Sequence, residues 1–132
     1  MSADRLLIAE DEARIGSLFK MVAEECGYEV RIAVNGAAVK EFVRTFEPTV
    51  ISLDLGMPGV LGVEMIWFLS ERGCRAKILI ASGQGRDVIA VAEQRGKDAG
   101  LNMVGAIPKP VRLGHLRSVF EELRSPRGNA AI

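Results

Sequence analysis

Short apolar runs alternate with longer segments of helical periodicity along the chain. Residues 6–9 are all apolar, which is typical of a strand buried on both faces. Across residues 13–26 the apolar side chains recur at every third or fourth position, which predicts a helix that ends at Gly27. The alternation continues to about Leu123, so the pattern predicts a protein built from strand and helix in turn.

Four further strands and four further helices complete the pattern. Residues 28–34 alternate apolar positions with Glu29, Arg31 and Ala33, which predicts an edge strand with one polar face. Gly96 should weaken the fourth helix near its end. The remaining predicted strands cover residues 49–53, 77–81 and 103–107, and the remaining helices lie at about 39–46, 63–69, 87–99 and 113–123.

Five strands alternating with five helices predict an α/β fold, a doubly wound parallel sheet, because parallel neighbours need helical crossovers. The 132 residues fit one domain, expected at residues 1–124. Residues 125–132 have no pattern and are expected to form a disordered tail. Residues 55–62 contain three glycines and a proline, which predicts an irregular loop after the third strand.

Charge and cysteine content narrow the function classes. Lysine plus arginine and aspartate plus glutamate number 17 each, so the net charge is zero, which argues against nucleic acid as a partner. Cys26 and Cys74 have no metal-ligand or redox spacing and are expected to be small buried groups. Without a signal-peptide pattern or an apolar run of membrane-spanning length, the expected location is the cytoplasm, away from the membrane.

Polar residues follow four of the apolar runs: Glu10 with Asp11, then Asp54, Ser82 and Lys109. In a doubly wound sheet the carboxyl ends of neighbouring strands meet at one crevice, so these side chains are expected to share a pocket. Three clustered carboxylates repel one another and need a cation. Mg²⁺ suits them, since it prefers oxygen ligands.

The expected ligands of Mg²⁺ are Glu10, Asp11, Asp54 and the backbone carbonyl of Gly56. A carboxylate oxygen of Asp54 can attack the phosphorus of a phosphoryl donor and form an acyl phosphate. Lys109 can pair with Asp54 before the reaction and with the phosphoryl group afterwards, and Ser82 can donate a hydrogen bond to that group.

Each residue also has an ordinary structural explanation. An aspartate at a strand end such as Asp54 is commonly a turn or cap residue, and residues 10–12 can complement a helix dipole. Ser82 and Lys109 lie in segments that are also typical of loops. The functional interpretation is favoured because all of them fall at the carboxyl ends of strands that share one crevice.

Four segments resemble the receiver domain of two-component response regulators: residues 7–12, residues 52–58 with Gly62, residues 80–82, and Lys109-Pro110. The resemblance runs from Leu6 to about Leu123 and implies the flavodoxin-like strand order 2-1-3-4-5, as in chemotaxis receivers. It implies that Asp54 accepts a phosphoryl group from a phosphohistidine on a partner histidine kinase or phosphotransfer protein. It also implies a cis peptide bond before Pro110.

One position departs from the family pattern. Many receivers carry Tyr or Phe three residues before the lysine, and here that residue is Ala106, which has no rotamer to switch. Output is therefore expected to use backbone or helix shifts on the surface of the fourth helix, fifth strand and fifth helix. That surface is the expected contact for an effector domain or a second copy, since Val88, Ile89 and Val91 make the fourth helix unusually apolar.

The favoured function is a phosphorylation-dependent switch that loses its phosphoryl group slowly and is not a turnover enzyme. One rival is a small hydrolase that forms the same aspartyl phosphate, but Leu55 and Gly56, which follow Asp54, cannot act as a general acid. The other rival is a degenerate receiver acting as a constitutive interaction module, which the complete set of site residues argues against.

Overall fold

The computed structural model describes residues 4–58 and 63–125. Strands and helices alternate through these residues, as the sequence predicts. The elements are β1 (Arg5–Ala9), α1 (Ala13–Glu25), β2 (Glu29–Ala33), α2 (Gly36–Thr45), β3 (Val50–Asp54), α3 (Val63–Glu71), β4 (Lys77–Ser82), α4 (Arg86–Asp98), β5 (Asn102–Pro108) and α5 (Leu113–Leu123).

The strands form one sheet in the order β2-β1-β3-β4-β5, and every neighbouring pair is parallel. This order confirms the implied topology and the edge position of β2. β3 lies at the centre, and Asp54 at its end pairs in register with Ala81, the residue before Ser82. The parallel arrangement therefore brings the strand ends that carry the polar residues to one edge of the sheet.

Each face of the sheet has its own buried apolar core. In β1, Leu6 and Ile8 belong to the core under α1 and α5, whereas Leu7 and Ala9 belong to the core under α2 and α3. Successive side chains of a strand point to opposite faces, so an uninterrupted apolar run supplies both cores. Phe120 of α5 is fully buried in the first of them.

Local signals fix several helix ends. Gly27 takes a φ of 96°, and the amide of Tyr28 donates to the carbonyl of Ala23 in a Schellman turn that ends α1. α2 begins at Asn35, whose side-chain oxygen accepts a hydrogen bond from the amide of Ala38 at 2.8 Å. Gly27 therefore ends α1 as predicted.

Two local expectations need correction. Ala33 was expected on the polar face of β2, but it is fully buried in the core under α2, because α2 covers this part of the sheet. Val34 lies beyond the end of β2 and is 57% exposed.

α4 continues past Gly96 to Asp98, close to the predicted end of the helix. A side chain at Gly96 would collide with Met103 of β5, so the glycine permits close packing of α4 on the sheet. Next to this contact Ile78 pairs with Met103 and Leu79 with Gly105, which leaves Val104 as the extra residue of a β-bulge.

Several expectations concern other parts of the chain. Cys26 is buried, as expected, whereas Cys74 is only partly buried against the core. Residues 126–132, for which disorder was expected, and residues 59–62 of the long loop lie outside the described residues. In the part of the chain that is described, no helix has both the length and the apolar character of a membrane span.

Candidate functional site

The acidic residues predicted from the sequence converge at the carboxyl edge of the sheet. Glu10, Asp11 and Asp54 each offer a carboxylate oxygen, and these oxygens lie within 4.8 Å of one another. Glu10 and Asp54 are buried, with 3% and 7% of their surface exposed, whereas Asp11 is exposed. The arrangement is open to solvent at Asp11 and can hold a divalent cation through oxygen ligands.

Lys109 joins the acidic cluster from the end of β5. Its Nζ donates a hydrogen bond to Oε1 of Glu10 at 2.8 Å and lies 3.4 Å from Oδ2 of Asp54. The peptide bond between Lys109 and Pro110 is cis, as the resemblance implies. The structure thus brings the ammonium group to both buried carboxylates, with its closer contact at Glu10.

Ser82 lies beside the acidic cluster because it is the last residue of β4. It is 1% exposed, and its carbonyl accepts a hydrogen bond from the backbone amide of Lys109 at 2.9 Å. Its hydroxyl oxygen accepts the amide of Gln84, also at 2.9 Å. Among the described residues no hydrogen bond joins this hydroxyl to Asp54, so Ser82 is a neighbour of the cluster without being bonded to it.

A repeated local turn orients three of the site side chains. Oε2 of Glu10 accepts the amide of Glu12 at 3.2 Å, and Oδ1 of Asp54 accepts the amide of Gly56 at 2.9 Å. With Ser82 and Gln84, each side-chain oxygen thus accepts the amide two residues further on. These bonds were not predicted from the sequence, although aspartate and serine at the start of loops commonly form such turns.

Gly56 therefore contacts Asp54 through its amide. Binding of Mg²⁺ by the backbone carbonyl of Gly56 stays a prediction. A Cβ at this position would lie 3.3 Å from Oδ1 of Asp54, so glycine leaves the carboxylate uncrowded. The residue type at this position thus affects access to Asp54.

The charges of the cluster are coupled. Burial raises the pKa of the Glu10 carboxyl above its ordinary value, although the hydrogen bonds from Lys109 and from the amide of Glu12 act in the opposite direction. Burial also acts to lower the pKa of the Lys109 ammonium, but the hydrogen bond to Glu10 and the nearby carboxylates outweigh it and raise that pKa. Lys109 is therefore a fixed positive charge at neutral pH.

Most of the residues expected to form the output surface are exposed. Val88 and Val91 of α4 are 48% and 51% exposed, and Val104 and Leu113 are exposed on β5 and α5. Ala106 is partly buried in β5. The apolar surface expected from the sequence is thus exposed, while its binding to a partner stays a prediction.

The fold and the site together define a class of protein. It is a small α/β protein with a parallel doubly wound sheet, and its acidic cluster and lysine lie at the carboxyl ends of the strands. The model of the family described as "Response regulator receiver domain" matches residues 6–121. The chain belongs to this family, and hence to the receiver domains of two-component signalling.

Individual relatives agree with the assignment. The chain is 28% identical over 88 residues to Chemotaxis protein CheY of Thermotoga maritima, a match that covers 66% of this chain and 73% of the relative. It is 37% identical over 79 residues to Protein-glutamate methylesterase/protein-glutamine glutaminase 2 of Rhodopseudomonas palustris, which covers 59% of this chain but only 22% of that protein.

A solved structure shows the same fold. A response regulator from Colwellia psychrerythraea superposes with a TM-score of 0.79 at 27% identity, covering 92% of this chain and 97% of the other. The chain thus spans most of the single receivers that it resembles and a small part of the methylesterase.

Proposed function

We propose that Asp54 is the phosphoacceptor of this receiver and that Mg²⁺ is required for its phosphorylation. The observation that carries the proposal is the convergence of Glu10, Asp11, Asp54 and Lys109 at one edge of the sheet. Such a site offers a nucleophile, oxygen ligands for a hard cation and a cationic partner for a phosphoryl oxygen.

In the proposed reaction a carboxylate oxygen of Asp54 attacks the phosphorus of a phosphohistidine on a kinase or phosphotransfer protein. A phosphorus–oxygen bond forms, the phosphorus–nitrogen bond breaks, and the leaving imidazole takes up a proton. Glu10, Asp11, Asp54 and the carbonyl of Gly56 would hold Mg²⁺, which neutralises charge on the transferring group.

The protein's own side chains supply the remaining interactions. Lys109 already lies 3.4 Å from Oδ2 of Asp54, so its ammonium can bind a phosphoryl oxygen with a small movement. The Ser82 hydroxyl would exchange its acceptor role towards the Gln84 amide for a donated hydrogen bond to the phosphoryl group. A movement of Ser82 at the end of β4 would then be passed to α4, which begins four residues later at Arg86.

The output of this movement is a change in the α4, β5 and α5 surface, where Val88, Val91 and Leu113 are exposed. Phosphorylation would alter its affinity for an effector domain or a second copy. Ala106 has no ring to reorient, so the coupling would run through the backbone of β4 and the position of α4. The domain would act as a switch and not as a turnover enzyme.

The test is to incubate the protein with acetyl phosphate and Mg²⁺ and to measure phosphoryl incorporation by intact mass. We expect one phosphoryl group on wild type, none on Asp54→Asn, and none on wild type in EDTA. Lys20→Met, a change on the exposed face of α1, serves as the matched control and should label normally. Equal labelling of wild type and Asp54→Asn would refute the assignment of Asp54.

A second measurement separates the switch from a hydrolase. With excess acetyl phosphate, a hydrolase would release many equivalents of inorganic phosphate rapidly for each protein molecule. The switch should give a stoichiometric adduct followed by slow release. Rapid turnover that depends on Asp54 would contradict the proposed role as a switch.

A further inference from the structure

A concave pocket lies at the opposite edge of the sheet from Asp54. It is an open depression in the surface, formed by residues from several separate segments of the chain. It is bounded by the amino ends of β1, β4 and β5 and by the segments that precede β3 and β4. Its lining residues include Arg5, Glu47, Arg72, Arg75, Lys77 and Asn102.

The lining of this pocket is strongly basic. Four cationic side chains, those of Arg5, Arg72, Arg75 and Lys77, surround it. Glu47 is the one acidic side chain among the described lining residues. The net charge of the chain is zero, yet this surface carries a local excess of cations. A concave surface focuses field lines, so the positive potential is concentrated in the pocket.

Backbone carbonyls hold two of these cations at the pocket. Nε of Arg5 donates to the carbonyls of Phe46 and Glu47 at 3.0 and 2.7 Å, and Nζ of Lys77 donates to the carbonyl of Leu123 at 3.0 Å. These bonds fix the side chains without neutralising their charge. The other ammonium hydrogens of Lys77 and the terminal nitrogens of Arg5 are still available as donors.

The other two cations are exposed on the segment between α3 and β4. Arg72 lies 5.5 Å from the ring centroid of Phe68, a cation–π contact that restrains the guanidinium. No described carboxylate forms an ion pair with Arg72, Arg75, Arg5 or Lys77. The nearby carboxylates are Glu47 in the lining and Asp4, which accepts hydrogen bonds from Thr49 and Ser125 of the lining, so the four cations still outnumber them.

We propose that this pocket is a second ligand site, which binds a small molecule carrying a diphosphate group. Guanidinium groups match phosphate oxygens in paired hydrogen bonds, so three arginines suit a phosphorylated ligand. Four cations opposed by one carboxylate in the lining suit a diphosphate better than a single phosphate, which carries at most about two negative charges. Val43, Cys74 and Ala76 add an apolar wall for the organic part of the ligand.

This site does not depend on phosphorylation of Asp54, because the two lie at opposite ends of the strands. The pocket borders the amino ends of β4 and β5, whereas Ser82 and Lys109 lie at or just beyond their carboxyl ends. A ligand here would bind the segments that precede β3 and β4. It would therefore stabilise the folded domain and add a second input to it.

The experiment titrates ¹⁵N-labelled protein with pyrophosphate and with ADP in EDTA, and follows amide shifts by NMR. We expect shifts centred on residues 72–77 and Asn102, and an affinity that falls as salt is added. Arg72→Gln/Arg75→Gln should weaken both ligands by about tenfold or more, equivalent to about 1.4 kcal/mol. Adenosine, which has no phosphate, should not bind.

The matched control is Arg95→Gln/Lys97→Gln, which removes two exposed positive charges of α4 that do not line the pocket. It should change the affinity less than about twofold, since distant exposed charges are screened. Thermal unfolding midpoints of both double variants report whether each one is folded.

Three results would overturn the proposal. One is the absence of saturable shifts up to millimolar pyrophosphate or ADP with folded wild-type protein. Another is equal weakening in the two double variants, which would show a response to net charge alone. The third is a set of shifts confined to Ser82 and Lys109, which would place the anion at the Asp54 site and leave the Asp54 proposal intact.

Discussion

Replacing Lys109 by Met tests the electrostatic balance of the site most directly. The change keeps an unbranched side chain but removes the ammonium that contacts Glu10 at 2.8 Å and Asp54 at 3.4 Å. Glu10 is 3% exposed and would be left beside the buried carboxylate of Asp54 and the exposed carboxylate of Asp11. We expect Lys109→Met to destabilise the protein in the absence of a divalent cation.

The size of the effect follows from these distances. With an effective dielectric constant of about 20, Coulomb's law gives about 6 kcal/mol at 2.8 Å and about 5 kcal/mol at 3.4 Å. Desolvation of the three groups offsets most of this attraction, and removing one partner of a buried pair typically costs about 3–5 kcal/mol. Because Lys109 keeps some contact with solvent, we expect a loss of about 2–4 kcal/mol at pH 7.5.

The assay is urea unfolding in EDTA, followed by circular dichroism, for wild type, Lys109→Met, Glu10→Gln and the double variant. In the Glu10→Gln background the effect of Lys109→Met should shrink by at least about 1 kcal/mol, since the paired charge is gone. Lys20→Met removes an exposed pair with Glu24 and should cost less than about 1 kcal/mol.

Mg²⁺ and a lower pH should each reduce the destabilisation caused by Lys109→Met. Mg²⁺ would bind the folded state and replace the lost positive charge, so it should stabilise the variant more than wild type. Lowering the pH would protonate Glu10, whose pKa the loss of Lys109 would raise further, and should reduce the difference. A cost below about 0.5 kcal/mol in EDTA at pH 7.5 would refute the electrostatic reasoning.

Four further predictions concern individual residues. Gly96→Ala should destabilise the protein by about 1–3 kcal/mol despite alanine's better helix propensity, because the new Cβ would lie 2.9 Å from Cγ of Met103. Urea unfolding measures this loss, which should be smaller in a Met103→Ala background. Tyr28→Phe should cost about 1–2 kcal/mol, measured in the same way, since the buried hydroxyl donates to the carbonyl of Phe120 at 2.7 Å. Wild-type affinity for Mg²⁺, measured by calorimetry, should begin to fall at a higher pH than an ordinary glutamate pKa of 4.5 predicts, because the pKa of Glu10 is raised and protons compete for its carboxylate. Because its pKa is raised in the folded state, the contribution of Glu10 to the free energy of unfolding falls as the pH rises from 4.5 through the raised pKa. The unfolding free energies of wild type and Glu10→Gln should therefore diverge over that range of pH.

The sequence determined the elements and the set of residues at the strand ends. Apolar runs such as residues 6–9 are typical of a strand covered on both faces, and β1 is such a strand. Glu10, Asp54, Ser82 and Lys109 follow such runs, so a parallel topology places them at one edge whatever their side-chain rotamers.

Only the tertiary structure decided which groups are in contact and which charged side chains form ion pairs. The sequence favoured Lys109 as a partner of Asp54, whereas its shorter contact is to Glu10 across the sheet, because the rotamer depends on the packing of three separate loops. From the sequence, Gly96 is only a residue that weakens a helix. Its close approach to Met103 depends on how α4 packs against β5, which only the structure shows.

The basic pocket is a further case, since Arg5 is far in the chain from the segment 72–77 that supplies the other cations, and no motif links them. Periodicity records which face of an element is buried, and so it predicts elements and edges. It holds no information on distances between side chains of different elements, which are set by the sheet register and by the packing of the helices over it.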